Sequence, residues 1–233
     1  KNLRDLSGGK PIGFKLCVGS KSEFIGICKA MIDKKIYPDF IAVDGGEGGT
    51  GAAPLEYSNS IGMPLTDGLA FVTDCLNGFN LKQHIKIIAS GKIVTGFNAL
   101  RNIAIGADMV NSARAMMMAL GCIQALECNK NICPTGVATQ NPELAKGLDV
   151  EDKSHRVYRY HRETIHSIAD LLSATGHKAL NSIKRQDIFR RINYLEIKRF
   201  DEIYPNINTG DFLNNKIPEN LNFDFEKSDS NKF

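Results

Sequence analysis

Apolar positions in the first half of the chain follow two alternating patterns. Short runs rich in Ile, Val and Phe recur as "PIGFKLCV" (Pro11–Val18), "DFIAVDG" (Asp39–Gly45), "IKIIASG" (Ile85–Gly91) and "ADMVNSA" (Ala107–Ala113). Each is the length of a buried strand and leads into a glycine or small-polar turn. Longer stretches with helical spacing separate them: "SEFIGICKAMIDKKI", "GMPLTDGLAFVTDCLNGF" and "TGFNALRNIAIG", the last stopped by Gly106. Strand–helix alternation predicts an α/β fold with a parallel sheet covered by helices, either doubly wound or closed into a barrel.

The ends of the third and fourth strands favour the barrel. "IASGK" and "NSAR" are successive small-residue turns, and a TIM (β/α)8 barrel holds phosphate in the loops after its seventh and eighth strands. The four units are therefore expected to be strands five to eight, finishing near Leu120. Such a barrel takes about 250 residues, so the expectation is a C-terminal half-barrel with the N-terminal half missing and two sheet edges open. The chain also begins at Lys1, without an initiator Met, on what reads as the tail of a helix, and is expected to be a fragment.

Three segments follow from the pattern. Residues 1–144 form the half-barrel and a cysteine loop. Residues 145–193 form a helical extension, carried by "DKSHRVYRYHRETIHSIADLLSATG" (Asp152–Gly176), in which Val157, Tyr160, Ile165, Ile168, Leu171 and Leu172 share a helical period. That helix is expected to pack outside the barrel. Residues 194–233, rich in Asn, Asp and Lys, predict a tail that is mostly irregular or disordered. No internal repeat is present.

Composition narrows the class. A chain of 233 residues with 42% apolar and 24% charged residues has enough apolar side chain for a globular core. Its 29 basic and 26 acidic residues leave a net charge of +3, which argues against a nucleic-acid footprint or a membrane-surface patch. No apolar run approaches the roughly 20 residues that span a bilayer, and the first residues lack a signal-peptide core. The expected location is cytoplasmic, with an anchor in the missing N-terminal part left open.

The densest candidate site is "DGGEGGTGAAP" (Asp44–Pro54), five glycines after a strand. Glycine lets backbone N–H groups approach a ligand, so the loop suits a planar cofactor or an anion, and a flexible turn is the alternative. It matches neither GxGxxG nor a P-loop. Glu47 inside it could hydrogen-bond a ligand or be solvated. "ASGKIVTG" (Ala89–Gly96) offers Ser90, Gly91 and Lys92 before a helix start near Thr95, and "NSARA" adds Ala113 and Arg114. Together these turns point to the phosphate of a bound cofactor. Lys15 interrupts an apolar strand, where it either snorkels to solvent or faces the ligand.

Cys122, Cys128 and Cys133 have five and four intervening residues and are followed by Pro134. Cys17, Cys28 and Cys75 read as small buried apolar residues. Disulfides are disfavoured in the cytosol, and zinc requires a fourth ligand that no nearby His supplies. Three thiolates suit an iron–sulfur cluster with three protein ligands. His155, His161 and His166 do not stack on one helix face and are crowded by Arg156, Arg159 and Arg162, which describes a solvated basic surface.

"GGEGGTGAAPLE", "ASGKIVTGF" and "ALGCIQALECNKNICPTGVATQNPEL", in that order, resemble signatures of the flavin-binding synthase domain of glutamate synthase. The resemblance covers about Gly8–Leu144, and "DKSHRVYRYHRETI" is similar to short stand-alone members without an amidotransferase domain. It implies a TIM barrel that binds FMN and a 3Fe-4S cluster, whose cysteine spacing Cys122, Cys128 and Cys133 match. The implied reaction adds ammonia to 2-oxoglutarate and delivers hydride from reduced FMN to the imine. Lys15 and Glu47 would be the catalytic pair, with Lys15 near flavin and 2-oxo acid. Gly48, Gly49 and Thr50, within the loop from Glu47 to Gly51, would line the flavin ring. Ser90, Gly91, Lys92, Ala113 and Arg114 would hold the FMN phosphate. Electrons would arrive through the cluster from a ferredoxin or reductase subunit, and ammonia from solution or a partner. Glu47 stands where larger members tend to carry an Asp preceded by His, so the 2-oxo acid stays open. An electron-transfer module without 2-oxo acid chemistry and a non-catalytic barrel fragment are the other readings.

Overall fold

The computed structural model describes residues 2–49 and 53–232, and the alternation expected from the sequence is present in it. A short helix α1 (Asn2–Leu6) leads into β1 (Gly13–Leu16), α2 (Lys21–Lys34), β2 (Phe40–Asp44), α3 (Leu55–Ser60) and α4 (Leu65–Gly78). Then come β3 (Lys86–Ser90), α5 (Gly96–Ile105), β4 (Met109–Asn111) and α6 (Arg114–Ala119). The pattern missed α3 and α6. Each has six residues, less than two turns, too few for an apolar period to register.

The strands pair in sequence order, β1-β2-β3-β4, all parallel. Lys15 lies beside Ala42, Ala42 beside Ile88, and Ile88 beside Met109. Because side chains alternate along a strand, this register sorts them by face. Leu16, Val43 and Ala89 share one face with Ile41, Ile87 and Val110. Lys15, Asp44, Ser90 and Asn111 share the other. The helices cover the first face: Gly68 of α4 sits over Val43, and Leu65, Leu69, Val72 and Leu76 of the same helix are buried.

Local chemistry sets the helix ends. Thr95 caps α5 by accepting from Asn98 N at 3.1 Å, while the Asn98 side chain accepts from Thr95 N at 3.2 Å, a reciprocal capping box. Gly106 ends α5 at a φ of +140, and a Cβ there would lie 2.4 Å from the Thr73 side chain. The stop expected at this glycine therefore has both a conformational and a packing cause.

After α7 (Pro142–Ala145) comes α8 (Val150–Ala174), which packs along α5 through Ile168, Leu171 and Leu172 without burying any residue fully. Ile165, expected on this stripe, is 49% exposed. It follows Thr164 by one position and is turned about 100° away from the contact line.

The C-terminal region consists of short elements joined by loops. β5 (Phe189–Arg191) and β6 (Ile197–Arg199) form an antiparallel hairpin, followed by α9 (Phe200–Ile203) and α10 (Asn222–Lys227). This mostly irregular segment is nonetheless packed, burying Phe200, Phe212 and Leu221 in the core. Phe212 meets Phe79 edge-on at 5.3 Å, and Phe225 stacks on Phe79 at 5.9 Å. Lys29 of α2 donates to the carbonyls of Phe225 and Ser228 at 2.8 and 3.1 Å. These apolar anchors are scattered on short turns, so no period announces them.

Arg185 fastens this region to the helix layer. Its side chain is only 2% exposed, and it grips Asp74 with two bonds of 2.8 and 3.2 Å. It also donates to the carbonyls of Ile105 and Tyr204 at 3.2 and 2.9 Å. Burial pushes the Asp74 carboxyl up to about 6, outweighing the attraction of the guanidinium. Among the described residues, no helix is long and apolar enough to cross a membrane.

Candidate functional site

Because all four strands run the same way, their C-terminal ends share one edge of the sheet. There the uncovered face opens into a cleft of about 320 Å³. Lys15 projects from β1 with its ammonium 2.9 Å from the Asp44 carboxylate at the end of β2. The lysine side chain is 62% exposed and the aspartate 15%, so the cation faces open space with its counter-charge beneath it.

The glycine loop forms one wall through Gly48 and Gly49. Gly45 N donates to Ser90 O at 2.8 Å, which pins the loop to the end of β3. A Cβ on Gly48 would fall 2.4 Å from the Asp44 carboxylate, so a side chain there has no room. Gly91 has a φ of +141, and a Cβ on it would stand 3.2 Å from Gly45 N. Glycine is needed at this turn for conformation and for clearance.

The opposite wall is the Ser90–Gly91–Lys92 turn together with Ala113 and Arg114 at the start of α6. Ser112 Oγ donates to Ile93 O at 2.9 Å and ties the two turns together. The Lys92 ammonium donates to Asn59 Oδ1 at 3.1 Å. Among the described residues, the backbone N–H groups of Gly91, Lys92, Ala113 and Arg114 donate to no other group, and the Arg114 guanidinium makes no hydrogen bond or ion pair. Several donors and one cation on residues lining the cleft thus have no acceptor among the described residues.

Lys15, Gly48, Gly49, Ser90, Gly91, Lys92, Ala113 and Arg114 are all brought to this one cleft. Glu47 is not. Both of its carboxylate oxygens accept from Leu65 N, at 3.0 and 2.9 Å, so it caps the first turn of α4, where a negative charge is favoured. Thr50 and Gly51 lie outside the described residues.

Sequence reasoning passed over Asp44 and Asn111, both lining the cleft, and it misplaced Cys17. Cys17 is exposed rather than buried, and its thiol approaches Met63 O at 3.8 Å. Its pKa is raised by partial burial and then by Asp44 and Glu47. The signal was available: Cys17 is two positions beyond Lys15, hence on the same side of the strand line. Asp44 and Asn111 end their strands in register with Ser90. Cys28 and Cys75 are buried, and burial pushes both thiols up.

The cysteine loop is a separate feature. Cys122 and Cys128 are half-buried and Cys133 is 7% exposed. The Thr135 hydroxyl, 3.5 Å from Cys133 Sγ, and the backbone amides around Ala138 hold that thiol down at about 7. Gln124 N donates to Cys122 Sγ at 3.4 Å. Two of the sulfurs therefore have donors suited to thiolates. Among the described residues, however, no three His, Cys, Asp or Glu side chains gather as a metal-binding group. His155, His161 and His166 are exposed on α8.

Residues 1–178 match the family model described as a conserved region in glutamate synthase. The chain is 40% identical over 192 residues to the glutamate synthase large subunit-like protein YerD of Bacillus subtilis, covering 82% of this chain and 36% of that protein. It is 36% identical over 175 residues to an archaeal glutamate synthase (NADPH) of Methanocaldococcus jannaschii, covering 75% and 34% respectively. The chain thus spans about a third of the length of the curated relatives it matches. Among solved structures, a mutant flavocytochrome b2 with pyruvate bound overlaps at a TM-score of 0.44 and 17% identity, covering 78% of this chain and 36% of that one, too slight a likeness to assign a fold.

Proposed function

The chain belongs to the glutamate synthase family, and from that premise we propose that it supplies the FMN side of a reductive amination of 2-oxoglutarate, or of a related 2-oxo acid, to the amino acid. The four parallel strands in unreversed order would be strands five to eight of a (β/α)8 barrel, completed by an N-terminal half. The observation that carries the reading is the cleft at the C-terminal edge of the sheet, lined by amides and an Arg114 guanidinium without partners among the described residues and by the Lys15 ammonium.

The residues present fit FMN. Gly48 and Gly91 put no side chain on the two walls, and the turns at Gly91–Lys92 and Ala113–Arg114 hold donors without acceptors among the described residues, as a phosphate requires. When bound, FMN would supply the hydride to the imine carbon. Arg114 would take the phosphate, and the wall at Gly48–Gly49 would let a flat ring approach the backbone. The Lys15 ammonium, held by Asp44, would attract the carboxylate of the 2-oxo acid and raise the local positive potential. Glu47 would act at one remove, by holding the glycine loop against α4.

A 3Fe-4S cluster on Cys122, Cys128 and Cys133 is supported by their spacing, and the donors around Cys122 and Cys133 suit thiolate ligands. The three sulfurs are not gathered here, so no step of the proposed reaction is routed through a cluster. A ferredoxin or a reductase subunit would supply electrons, and the NADPH in the relatives' names makes a nicotinamide-linked donor reasonable.

The test is anaerobic mixing of the photoreduced flavoprotein, expressed with its full coding sequence, with 2-oxoglutarate and ammonium, following flavin absorbance. Faster reoxidation that requires both reagents is expected. Reoxidation indifferent to every 2-oxo acid tried would leave an electron-transfer role and remove the amination reading.

A further inference from the structure

A second cavity, of about 360 Å³, lies between α2, α4 and the C-terminal segment and shares no lining residue with the cleft. Its apolar floor is Phe71 and Leu221, both buried, with Met63 at one side. Two opposite charges open onto it without pairing. Lys21, at the start of α2, makes no hydrogen bond or ion pair among the described residues, and its ammonium stands 5.9 Å from the centre of the Phe71 ring. Asp67, in the first turn of α4, accepts from the Tyr204 hydroxyl at 2.8 Å on one oxygen. Its other oxygen has no partner among the described residues. Asp74, a third charge at this cavity, is consumed by Arg185.

The chemistry of the lining discriminates among ligands. An anion would meet Lys21 but face the Asp67 carboxylate, and a cation the reverse. An uncharged apolar solute would strip water from both charges without replacing it, which is costly. A zwitterion with an apolar body satisfies all three surfaces. We propose that this cavity binds a free α-amino acid with an apolar side chain, its carboxylate on Lys21, its ammonium on the open oxygen of Asp67 and its side chain on Phe71 and Leu221. The site goes beyond the amination chemistry and does not depend on it.

The test is calorimetric titration of the protein, expressed with its full coding sequence, with three probes: L-leucine, 4-methylpentanoate, which lacks the ammonium, and 3-methylbutylamine, which lacks the carboxylate. Leucine is expected to bind, and both half-molecules to bind more weakly. Lys21→Met is expected to weaken leucine by about tenfold or more and to abolish the response to 4-methylpentanoate, while Asp67→Asn does the same for leucine and for the amine. Asparagine keeps an acceptor for Tyr204, and Lys21 lies outside the core, so both variants retain the fold; their circular dichroism checks this. Absence of leucine binding by the unsubstituted chain, or leucine affinity unmoved in either variant, would overturn the two-point grip.

Discussion

Two arginines mark two kinds of region. Arg185 is buried and bonded to Asp74, Ile105 and Tyr204, so every acceptor it needs is built in. Arg114, at the rim of the cleft, has no partner among the described residues, and neither do the amides beside it. The same side chain is a clasp in one place and an open hand in the other. Where the chain supplies both halves of a polar interaction, the interaction holds the fold. Where it supplies one half, the energy is left for a ligand.

That contrast can be broken by experiment. The largest effect is expected from Arg185→Met, which strands a buried carboxylate: a loss of about 3–5 kcal/mol, read as a melting temperature lower by about 6–20 °C. Adding Asp74→Leu to that variant should recover most of the loss, because the penalty comes from the unpaired charge. If the single variant melts like the parent, the clasp is not structural.

Next is the pH response of the same pair. The Asp74 carboxyl is raised from its ordinary value of 3.8 to about 6, so the folded chain binds that proton more tightly than the unfolded chain. Its contribution to stability is therefore complete below about pH 4 and lost as pH rises through about 6. The parent should lose stability relative to Asp74→Asn across that window, in melting curves taken at each pH. A constant difference between the two would reject the assignment.

At the cleft the sign of the contrast reverses. Arg114→Ala should leave the melting temperature of the ligand-free protein within the change expected for about 0.5 kcal/mol, yet weaken FMN binding about tenfold or more, measured by flavin fluorescence. Equal damage to fold and binding would erase the distinction between the two arginines. The smallest effect belongs to Glu47→Gln, which keeps an acceptor for Leu65 N but removes the charge at the start of α4. A cost of about 0.3–1 kcal/mol in denaturant unfolding is expected. A loss of turnover far beyond that cost would mean Glu47 also touches the substrate.

The strands and long helices were legible in the sequence because apolar period and turn chemistry agree there. Gly106 and Thr95 end and begin α5 where their residue types predict. The cleft turns were legible too, since small residues at successive strand ends have few other uses. What escaped depends on distance in space. Nothing local at Arg185 says that Asp74, 111 positions away, is its partner. Nothing around Glu47 says that its carboxylate belongs to Leu65. The C-terminal anchors Phe200, Phe212 and Leu221 sit in a segment rich in Asn, Asp and Lys, where short turns carry no period to betray a buried side.

The reach of Lys29 to the Phe225 carbonyl, 196 positions along the chain, also has a consequence for synthesis. On the ribosome, α2 and α4 emerge long before the segment that covers Phe71 and Phe79. For that interval the nascent strand–helix units carry an oily outer surface that Phe212, Leu221 and Phe225 cover only later. Translation pace and chaperone capture, rather than the strength of any finished contact, would then decide how much of this chain reaches its folded form.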